Sequence, residues 1–237
     1  MNERILELEH ELQRNKSAFQ DFAYAVSHDL QAPLRHIMGY SQDLLSVLDD
    51  NLSKRAHEDL VSLQKSTLLM QQMLESLLEY SRIETRGKPF TTVSCNDVLK
   101  VVLENYSKEI KEKSATISSD SLPEINGDPT QIYQLFKQLI GNALKFNSDA
   151  APEILITVTQ EKKLSLFRIQ DNGIGIDPRH LDRIFVIFQR LGIKPHVEGL
   201  GSGLALCKRI VERHQGQIWC ESTLGEGSAF LLRIPLR

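Results

Sequence analysis

The sequence predicts a helical hairpin followed by an α/β sandwich. Apolar residues recur at steps of three and four over residues 1–85, and this is the period of an α-helix. After a polar break at residues 86–89, which contains Gly and Pro, alternating strand patterns and capped helices replace that repeat. We therefore expect a helical unit at residues 1–85, a hinge at residues 86–89 and a mixed sheet domain at residues 90–237.

Composition excludes several classes of protein. The content of 41% hydrophobic and 25% charged residues is typical of a globular protein, and the net charge of −3 provides no basic field for nucleic acid. The cysteines lie far apart without CxxC spacing, which argues against a disulfide framework or a zinc site and favours the reducing cytoplasm. Because no apolar run is long enough to cross a membrane, we expect no membrane segment in this chain.

A coiled coil that joins two copies of the chain is predicted at residues 5–26. Between Phe22 and Leu34 the apolar spacing becomes four throughout, so we expect the supercoil to unwind locally there. The seam of the heptad repeat comprises Ile5, Leu8, Leu12, Asn15, Phe19, Phe22 and Val26. The stripe that we expect to be buried comprises Phe19, Phe22, Val26, Leu30, Leu34 and Ile37.

The histidine–aspartate pair His28–Asp29 lies where the spacing of apolar residues departs from the heptad repeat. At about 100° per residue, His28 lies opposite the midpoint of Val26 and Leu30, so we expect it to face solvent. Asp29 is placed to take up a ring proton, which makes His28 a candidate nucleophile and Asp29 its base. The alternative is a chance surface histidine beside a chance aspartate, and these two residues alone favour it.

The helical unit continues beyond this pair. Pro33 lies inside the first helix, where it removes a backbone hydrogen bond and bends or loosens the preceding turn. A turn is predicted at residues 49–53 and a second helix at residues 54–83. Two helices with one apolar face each do not close a core, so we expect two copies to form a four-helix bundle. The predicted inner face of the second helix is Leu60, Leu63, Met70, Leu74 and Leu77.

The second unit alternates strands and helices. Asp128 followed by Pro129 is an N-cap with proline in the first turn, which predicts the start of a long helix that runs to Phe146. The expected strands are residues 90–93, 115–118, 153–159, 164–169, 217–220 and 228–234. The expected helices are residues 96–111 and 202–214, with a short one after Asp177.

The first candidate binding motif is the end of that long helix. Asn142 offers an amide oxygen suited to Mg²⁺, and Lys145, followed by Phe146, offers a point charge for phosphate. An ordinary helix end is the alternative, because Asn and Lys both suit the last turn.

The second motif ends a strand with a carboxylate and two glycines. Asp171 suits the exocyclic amine of adenine as an acceptor, while Gly173 and Gly175, followed by Ile176, let the backbone approach a flat ring. Asp-Asn-Gly is also a common turn, so the motif alone leaves both interpretations open.

The third motif places alternating glycines at the start of a helix. Backbone N–H groups at such a helix start bind anions, here a polyphosphate. The motif is not a P-loop, because no Gly-Lys-Ser/Thr follows, and no βαβ unit continues after it. Residues 189–198 before it are polar enough for a lid, from which Arg190, Lys194 and His196 could reach the phosphates. The residues of the motif are Gly199, Gly201, Ser202, Gly203 and Leu204.

Taken in order, these motifs resemble the catalytic core of sensor histidine kinases, whose H, N, G1, F and G2 boxes they match over nearly the whole chain. The H-box wording at residues 27–35 is most similar to that of phytochrome-type kinases. Phe185 and Phe188 stand where the F box lies, as core or as lid packing. Other ATPases with the same nucleotide fold lack the preceding histidine unit, and a pseudokinase would not need the intact binding residues.

The resemblance implies a Bergerat (GHKL-type) ATP-binding domain that transfers the γ-phosphoryl group of ATP to His28. From there the group passes to an aspartate on the receiver domain of a response regulator. Asp29 would act as general base, Asn142 as the Mg²⁺ ligand and Asp171 as the adenine anchor. Gly199, Gly201 and Gly203 would form the phosphate loop. The resemblance also implies a homodimer, and a sensor input upstream that this chain does not contain.

Two positions depart from the family pattern. Gln138 stands where the family often has Asn, one turn before Asn142. Ala32 stands four residues after His28, where members with phosphatase activity often carry Thr or Asn to position a water molecule. We therefore predict weak or absent phosphatase activity toward the response regulator.

Overall fold

The chain forms two compact units in the computed structural model, Met1–Arg82 and Ile83–Arg237. The structure describes residues 2–48, 52–147, 150–161, 164–191 and 199–235, with side chains in the first helix at residues 14, 18 and 22–47. The predicted class, a helical hairpin followed by an α/β domain, is confirmed.

The first unit is a hairpin of two long helices, α1 (Asn2–Leu48) and α2 (Lys54–Thr85). Pro33 lies inside α1, and the helix continues past it as predicted. The guanidinium of Arg82 lies over the Tyr24 ring at 5.6 Å from its centroid. Because these two residues lie at equal sequence distances from Ser53, the helices are antiparallel. The predicted turn falls partly at residues 49–51, outside the described residues.

The set of side chains that is buried within the single hairpin consists mostly of small residues. It comprises Ala23, Ser27, Ser41, Thr67 and Ser81, together with Leu34 and Leu78. Large apolar residues of the predicted stripe lie outside it, with Phe22 64%, Leu30 45% and Ile37 40% exposed in the single chain. Leu63 and Met70 of the predicted α2 face are exposed too.

The stripe was predicted to be buried between two copies, so it stays a prediction for the single chain, because periodicity identifies an apolar face without saying which neighbour covers it. The helix α1 does span the predicted coiled coil. The seam side chains Ile5, Leu8, Leu12, Asn15 and Phe19 lie outside the described ones. None of the helices in the described part of the chain combines the length and the hydropathy needed to span a bilayer.

The second unit is a five-stranded sheet with helices packed on one face. The strands are β2 (Thr116–Ser119), β4 (Glu153–Glu161), β5 (Leu164–Asp171), β6 (Gln217–Thr223) and β7 (Gly227–Pro235). Their order in the sheet is β2-β4-β5-β7-β6, in which β2 and β4 are parallel and the other pairs antiparallel. A separate antiparallel pair joins β1 (Thr91–Ser94) to β3 (Glu124–Gly127).

Helix α5 (Pro129–Lys145) is the centre of the core. It begins at the predicted cap, where the Asp128 carboxylate accepts hydrogen bonds from the backbone N–H groups of Thr130 and Gln131. Phe136 on its buried face packs edge-on against Phe167 of β5, with 6.0 Å between ring centroids. The other helices are α3 (Cys95–Asn105), α4 (Ser107–Glu112) and α6 (Gly203–Arg213), with a 3₁₀ turn at Pro178–His180.

Two elements differ from the prediction. The helix expected at residues 96–111 is divided into α3 and α4 at Tyr106, whose hydroxyl donates to the backbone oxygen of Lys137 on α5. The strand β3 was not predicted, because one buried apolar residue, Ile125, gives too short a pattern. Its pairing with β1 comes from residues 30 or more positions away in the chain.

Helices α5 and α6 run antiparallel. A Cβ atom on Gly203, the first residue of α6, would lie 2.6 Å from Oε1 of Gln138 on α5. At the opposite ends, Arg213 of α6 pairs with Asp128 at 3.1 Å. The start of α6 therefore lies beside the C-terminal half of α5, and there the predicted binding motifs meet.

Candidate functional site

The imidazole of His28 faces solvent in the helical unit, as predicted. Its side chain is 71% exposed, and its Nδ1 lies 3.2 Å from Oδ1 of Asp29, which is itself 80% exposed. The ring stacks beside Tyr24 on the preceding turn, with 6.3 Å between ring centroids. An Nδ1–H that donates to the carboxylate leaves the lone pair of Nε2 pointing outward, which is the arrangement a nucleophilic imidazole needs.

In the second unit, the carboxylate of Asp171 is held at the end of β5. Its Oδ1 accepts from the backbone N–H groups of Gly173 at 2.9 Å and Ser228 at 3.1 Å. Burial raises the pKa of Asp171, while these two hydrogen bonds act in the opposite direction. Among the described residues both bonds reach Oδ1, so Oδ2 is left to accept a hydrogen bond from a ligand amine.

The loop after Asp171 lies against the end of α5. The N–H of Ile174 donates to the backbone oxygen of Phe146 at 3.0 Å. A Cβ atom at Gly173 would overlap the same oxygen, so glycine is required there by close approach. The structure therefore brings the first and second predicted motifs together.

The same loop is fixed on its other side by the β6–β7 turn. The N–H of Ile176 donates to Oγ of Ser222 at 2.8 Å, and Ile174 accepts from the N–H of Gly225 at 2.8 Å. Sequence reasoning missed Ser222 and Ser228, because a serine in a strand carries no local signal of a contact about 50 residues away.

The third motif also lies beside the end of α5, close to the first motif. A Cβ atom on Gly199 would lie 2.6 Å from Nζ of Lys145. Gly201 has φ of +72° and accepts from the N–H of Phe188 at 2.9 Å. Gly199 of the third motif therefore lies beside the lysine, four residues before the N–H groups that begin α6 at Gly203, and a lysine together with a helix start suits an anion.

The remaining predicted residues lie around these three motifs. Asn142 is half-buried on α5, one turn before Lys145 and on the same face. Ile176 and Leu204 are partly buried against the core, and Ser202 precedes α6 without a side-chain cap. Arg190 is exposed at the start of the predicted lid. Lys194 and His196 lie within residues 192–198, outside the described part of the chain.

A substitution at Gly175 tests how firmly the loop after Asp171 is fixed by the β6–β7 turn. A Cβ atom there would overlap the backbone oxygen of Thr223, and φ is +66°. We expect Gly175→Ala to lower the free energy of unfolding by about 3 kcal/mol or more and to weaken nucleotide binding, measured by urea denaturation and titration calorimetry.

Gly225→Ala is the matched control for that variant. Gly225 has a similar φ of +87°, but a Cβ atom there would have nothing within 4 Å. We expect a loss of about 1 kcal/mol from backbone strain alone. Equal losses in the two variants would contradict the fixed loop.

Comparisons with known proteins identify both units. Residues 127–237 match the family described as histidine kinase-, DNA gyrase B-, and HSP90-like ATPase. Residues 20–86 match the His Kinase A (phospho-acceptor) domain. Cyanobacterial phytochrome A of Nostoc sp. is 42% identical over 234 residues, which are 99% of this chain and 31% of that protein. The chain thus spans less than a third of that relative.

Solved structures share the fold. The structure of full-length ShkA in complex with AMPPNP has a TM-score of 0.65 at 24% identity, over 91% of this chain and 45% of that one. The histidine kinase ThkA in complex with the response regulator protein TrrA has a TM-score of 0.64 at 18% identity, over 97% of this chain and 66% of that one. The chain thus carries a phosphoacceptor domain and an ATP-binding domain, which together match the catalytic core of histidine kinases.

Proposed function

We propose that the chain is an ATP-dependent protein-histidine kinase that phosphorylates its own His28 as part of a two-component signalling system. The observation that carries this proposal is the exposed His28–Asp29 pair in a chain whose second unit assembles three nucleotide-binding motifs. In this division of labour the helical unit, residues 1–85, presents the acceptor, and the domain at residues 90–237 presents ATP.

The nucleotide is oriented by contacts at both of its ends. The exocyclic amine of adenine donates a hydrogen bond to Oδ2 of Asp171, and the ring occupies the space that Gly173 and Gly175 keep open. The phosphates lie at the start of α6, where Lys145 and the N–H groups after Gly201 neutralise their charge. Such positioning supplies most of the catalysis in phosphoryl transfer.

Mg²⁺ fits this donor set as part of the nucleotide complex. The amide oxygen of half-buried Asn142 is a hard ligand of the kind that Mg²⁺ takes. The described residues contain no group of three or more His, Cys, Asp or Glu side chains that could hold a metal ion, so phosphate oxygens and water would complete the ligands. Bound there, the ion would neutralise phosphate charge.

In the transfer step, Nε2 of His28 forms a bond to the γ-phosphorus as the bond from that phosphorus to the bridging oxygen of ADP breaks. Asp29 accepts the hydrogen bond of Nδ1–H and stabilises the positive charge that develops on the ring. The phosphoryl group then passes to an aspartate on a receiver domain, and His28 returns to its free state. The complex of ThkA with TrrA supports a partner of this kind.

A homodimer follows from the uncovered face of the hairpin. The exposed apolar side chains on α1 and α2 are too many for one stable surface in water, and a second copy would bury them as a four-helix bundle. They include Phe22, Leu30, Ile37, Leu44, Val47, Leu63, Leu69 and Met70. We place this dimer in the cytoplasm, because Cys95, Cys207 and Cys220 are free, and its signal would come from a sensor region upstream.

The activity is tested by incubating the chain with γ-labelled ATP and Mg²⁺. We expect label that survives alkali and is lost in acid, which is the behaviour of phosphohistidine. Chelation of the metal should abolish it. Release of labelled phosphate without labelled protein would instead indicate an ATPase that uses the same nucleotide fold.

Ala32 predicts weak phosphatase activity. It lies one helical turn after His28, on the same face of α1, and has no hydroxyl or amide to hold an attacking water. We expect Ala32→Thr to accelerate loss of phosphate from a phosphorylated receiver domain by about tenfold or more, as expected for one positioned group in general catalysis. Ala32→Val, which has the same shape without the hydroxyl, should show no gain. Rapid dephosphorylation by the unaltered chain would contradict the prediction.

A further inference from the structure

The segment predicted as a hinge is tied to the ATP-binding unit by buried polar contacts. Asp128, whose side chain is 1% exposed, accepts the backbone N–H of Lys88 at its Oδ2. Its Oδ1 meanwhile caps α5. A buried carboxylate with several donors is a costly group to disturb, because loss of one donor leaves charge unsatisfied in a poorly solvated place.

Arg213, the last residue of α6, binds the same carboxylate and the same segment. Its guanidinium donates to Oδ2 of Asp128 at 3.1 Å, to Oε1 of Gln131 at 2.7 Å and to the backbone oxygen of Lys88 at 3.0 Å. A Cβ atom on Gly87 would overlap this guanidinium, so the chain passes directly over it. Charge-assisted bonds in a fork geometry of this kind are among the stronger ones in proteins.

Aromatic side chains pack over the contact that Arg213 makes with Asp128 and Lys88. Phe90 stacks on His214 with 4.5 Å between ring centroids, and Arg213 lies 4.8 Å from the Phe90 centroid on the ring face. His214 accepts the N–H of Asp128 at Nε2 and donates from Nδ1 to the backbone oxygen of Ile210. Both ring nitrogens of a neutral imidazole are therefore satisfied, and burial lowers its pKa.

The last turn of α2 also makes polar contacts with α5 and α6. Gln131 donates its side-chain N–H to the backbone oxygen of Ile83 at 2.8 Å. Arg209 pairs with Glu84 at 3.2 Å, and both side chains are at most a quarter exposed. Ile83 itself is buried in the core of the ATP-binding unit. Contacts of the unit thus begin at Ile83, inside α2, and continue to Phe90.

These contacts lie at the far ends of the two helices that carry the nucleotide motifs. Helix α6 begins at the phosphate loop and ends at Arg213, about 15 Å away at 1.5 Å per residue. Helix α5 begins at Asp128 and ends at Lys145. The antiparallel pair therefore connects the nucleotide site to the segment at residues 83–90 through rigid elements.

We propose that residues 83–90 are a fixed arm of the ATP-binding unit, clamped by Asp128, Gln131 and Arg213, and that the motion which brings ATP to His28 pivots in α2 before Ile83. Arg213 is then a positioning residue for transfer to His28. This role in transfer rests on the proposed kinase activity, whereas the clamp itself does not.

Amide hydrogen exchange on the full chain tests the clamp without reference to activity. We expect the amides of residues 84–88 to exchange no faster than those of residues 78–82. Arg213→Ala should accelerate exchange at residues 84–88 by about tenfold or more, as loss of charge-assisted bonds implies. Gly87→Ala, which keeps Arg213 but displaces it, should do the same. Arg168→Ala is the matched control, because it breaks an Arg–Glu221 pair of 2.8 Å on the sheet.

Labelling of His28 tests the positioning role. We expect Arg213→Ala to slow it by about tenfold, because small misplacements are costly in transfer, while affinity for ADP changes less than about twofold. Faster exchange at residues 84–88 than at residues 78–82 in the unaltered chain, or no response to either clamp variant, would overturn the proposal. If the unaltered chain is not labelled, the proposed kinase activity is refuted. The hydrogen-exchange result would then still decide whether residues 83–90 are clamped.

Discussion

Replacing His28 with glutamine is expected to abolish acid-labile phosphorylation of the chain. Glutamine keeps a polar side chain of similar reach on an exposed helical position, so folding should be unaffected. It has no basic nitrogen to attack phosphorus and cannot hold a labile phosphoryl group. Label incorporation should fall by at least about a thousandfold, as expected when a nucleophile is lost. Affinity for ADP should be unchanged, since the nucleotide motifs lie in the second unit.

His36→Gln is the matched control for that variant. His36 is a second exposed histidine on α1 with an aromatic neighbour, Tyr40, at 6.4 Å between ring centroids. Its loss should leave labelling intact. Residual label in His28→Gln that is lost only when His36 is also replaced would show that the acceptor has been misassigned.

Replacing Asp171 with asparagine is expected to weaken ATP binding by about a hundredfold or more, measured by titration calorimetry. The amide oxygen can still accept from Gly173 and Ser228, so the loop keeps its shape. The amide nitrogen then takes the place of Oδ2 and points a donor at the adenine amine, which is also a donor. One lost hydrogen bond and one unsatisfied buried donor together cost about 3 kcal/mol, or about a hundredfold in affinity.

Asp177→Asn provides the control on the same loop. The Asp177 carboxylate accepts from the N–H and guanidinium of Arg179, and this partner holds its pKa below the ordinary range. Arg179 is exposed, so the pair contributes little to stability. ATP affinity should not change in this variant. Equal losses at Asp171 and Asp177 would mean that the loop as a whole, and not the adenine contact, had been disturbed.

Local rules were sufficient for much of this fold. The cap at Asp128, the apolar face of α5 and the outward direction of His28 follow from residues within a few positions of one another, and the structure contains all three. The glycines of the second and third motifs were also identified by spacing alone. The close approach of Gly173 to the backbone of Phe146 and the positive φ of Gly199 give the physical reason for glycine at those two positions.

The sequence by itself therefore determined most of the helices and strands and the exposed imidazole, and it proposed the candidate binding residues, because short-range periodicity, capping and motif spacing encode them. Only the tertiary structure decided that the buried side chains of the single hairpin are mostly small, since hydropathy cannot tell which neighbour covers a face. It also decided which distant residues bond to the segment around Gly87, because the bonds from Asp128 and Arg213 span 40 and 125 positions of the chain. A pattern of Gly and Pro predicts local freedom, and it carries no sign of contacts from that distance.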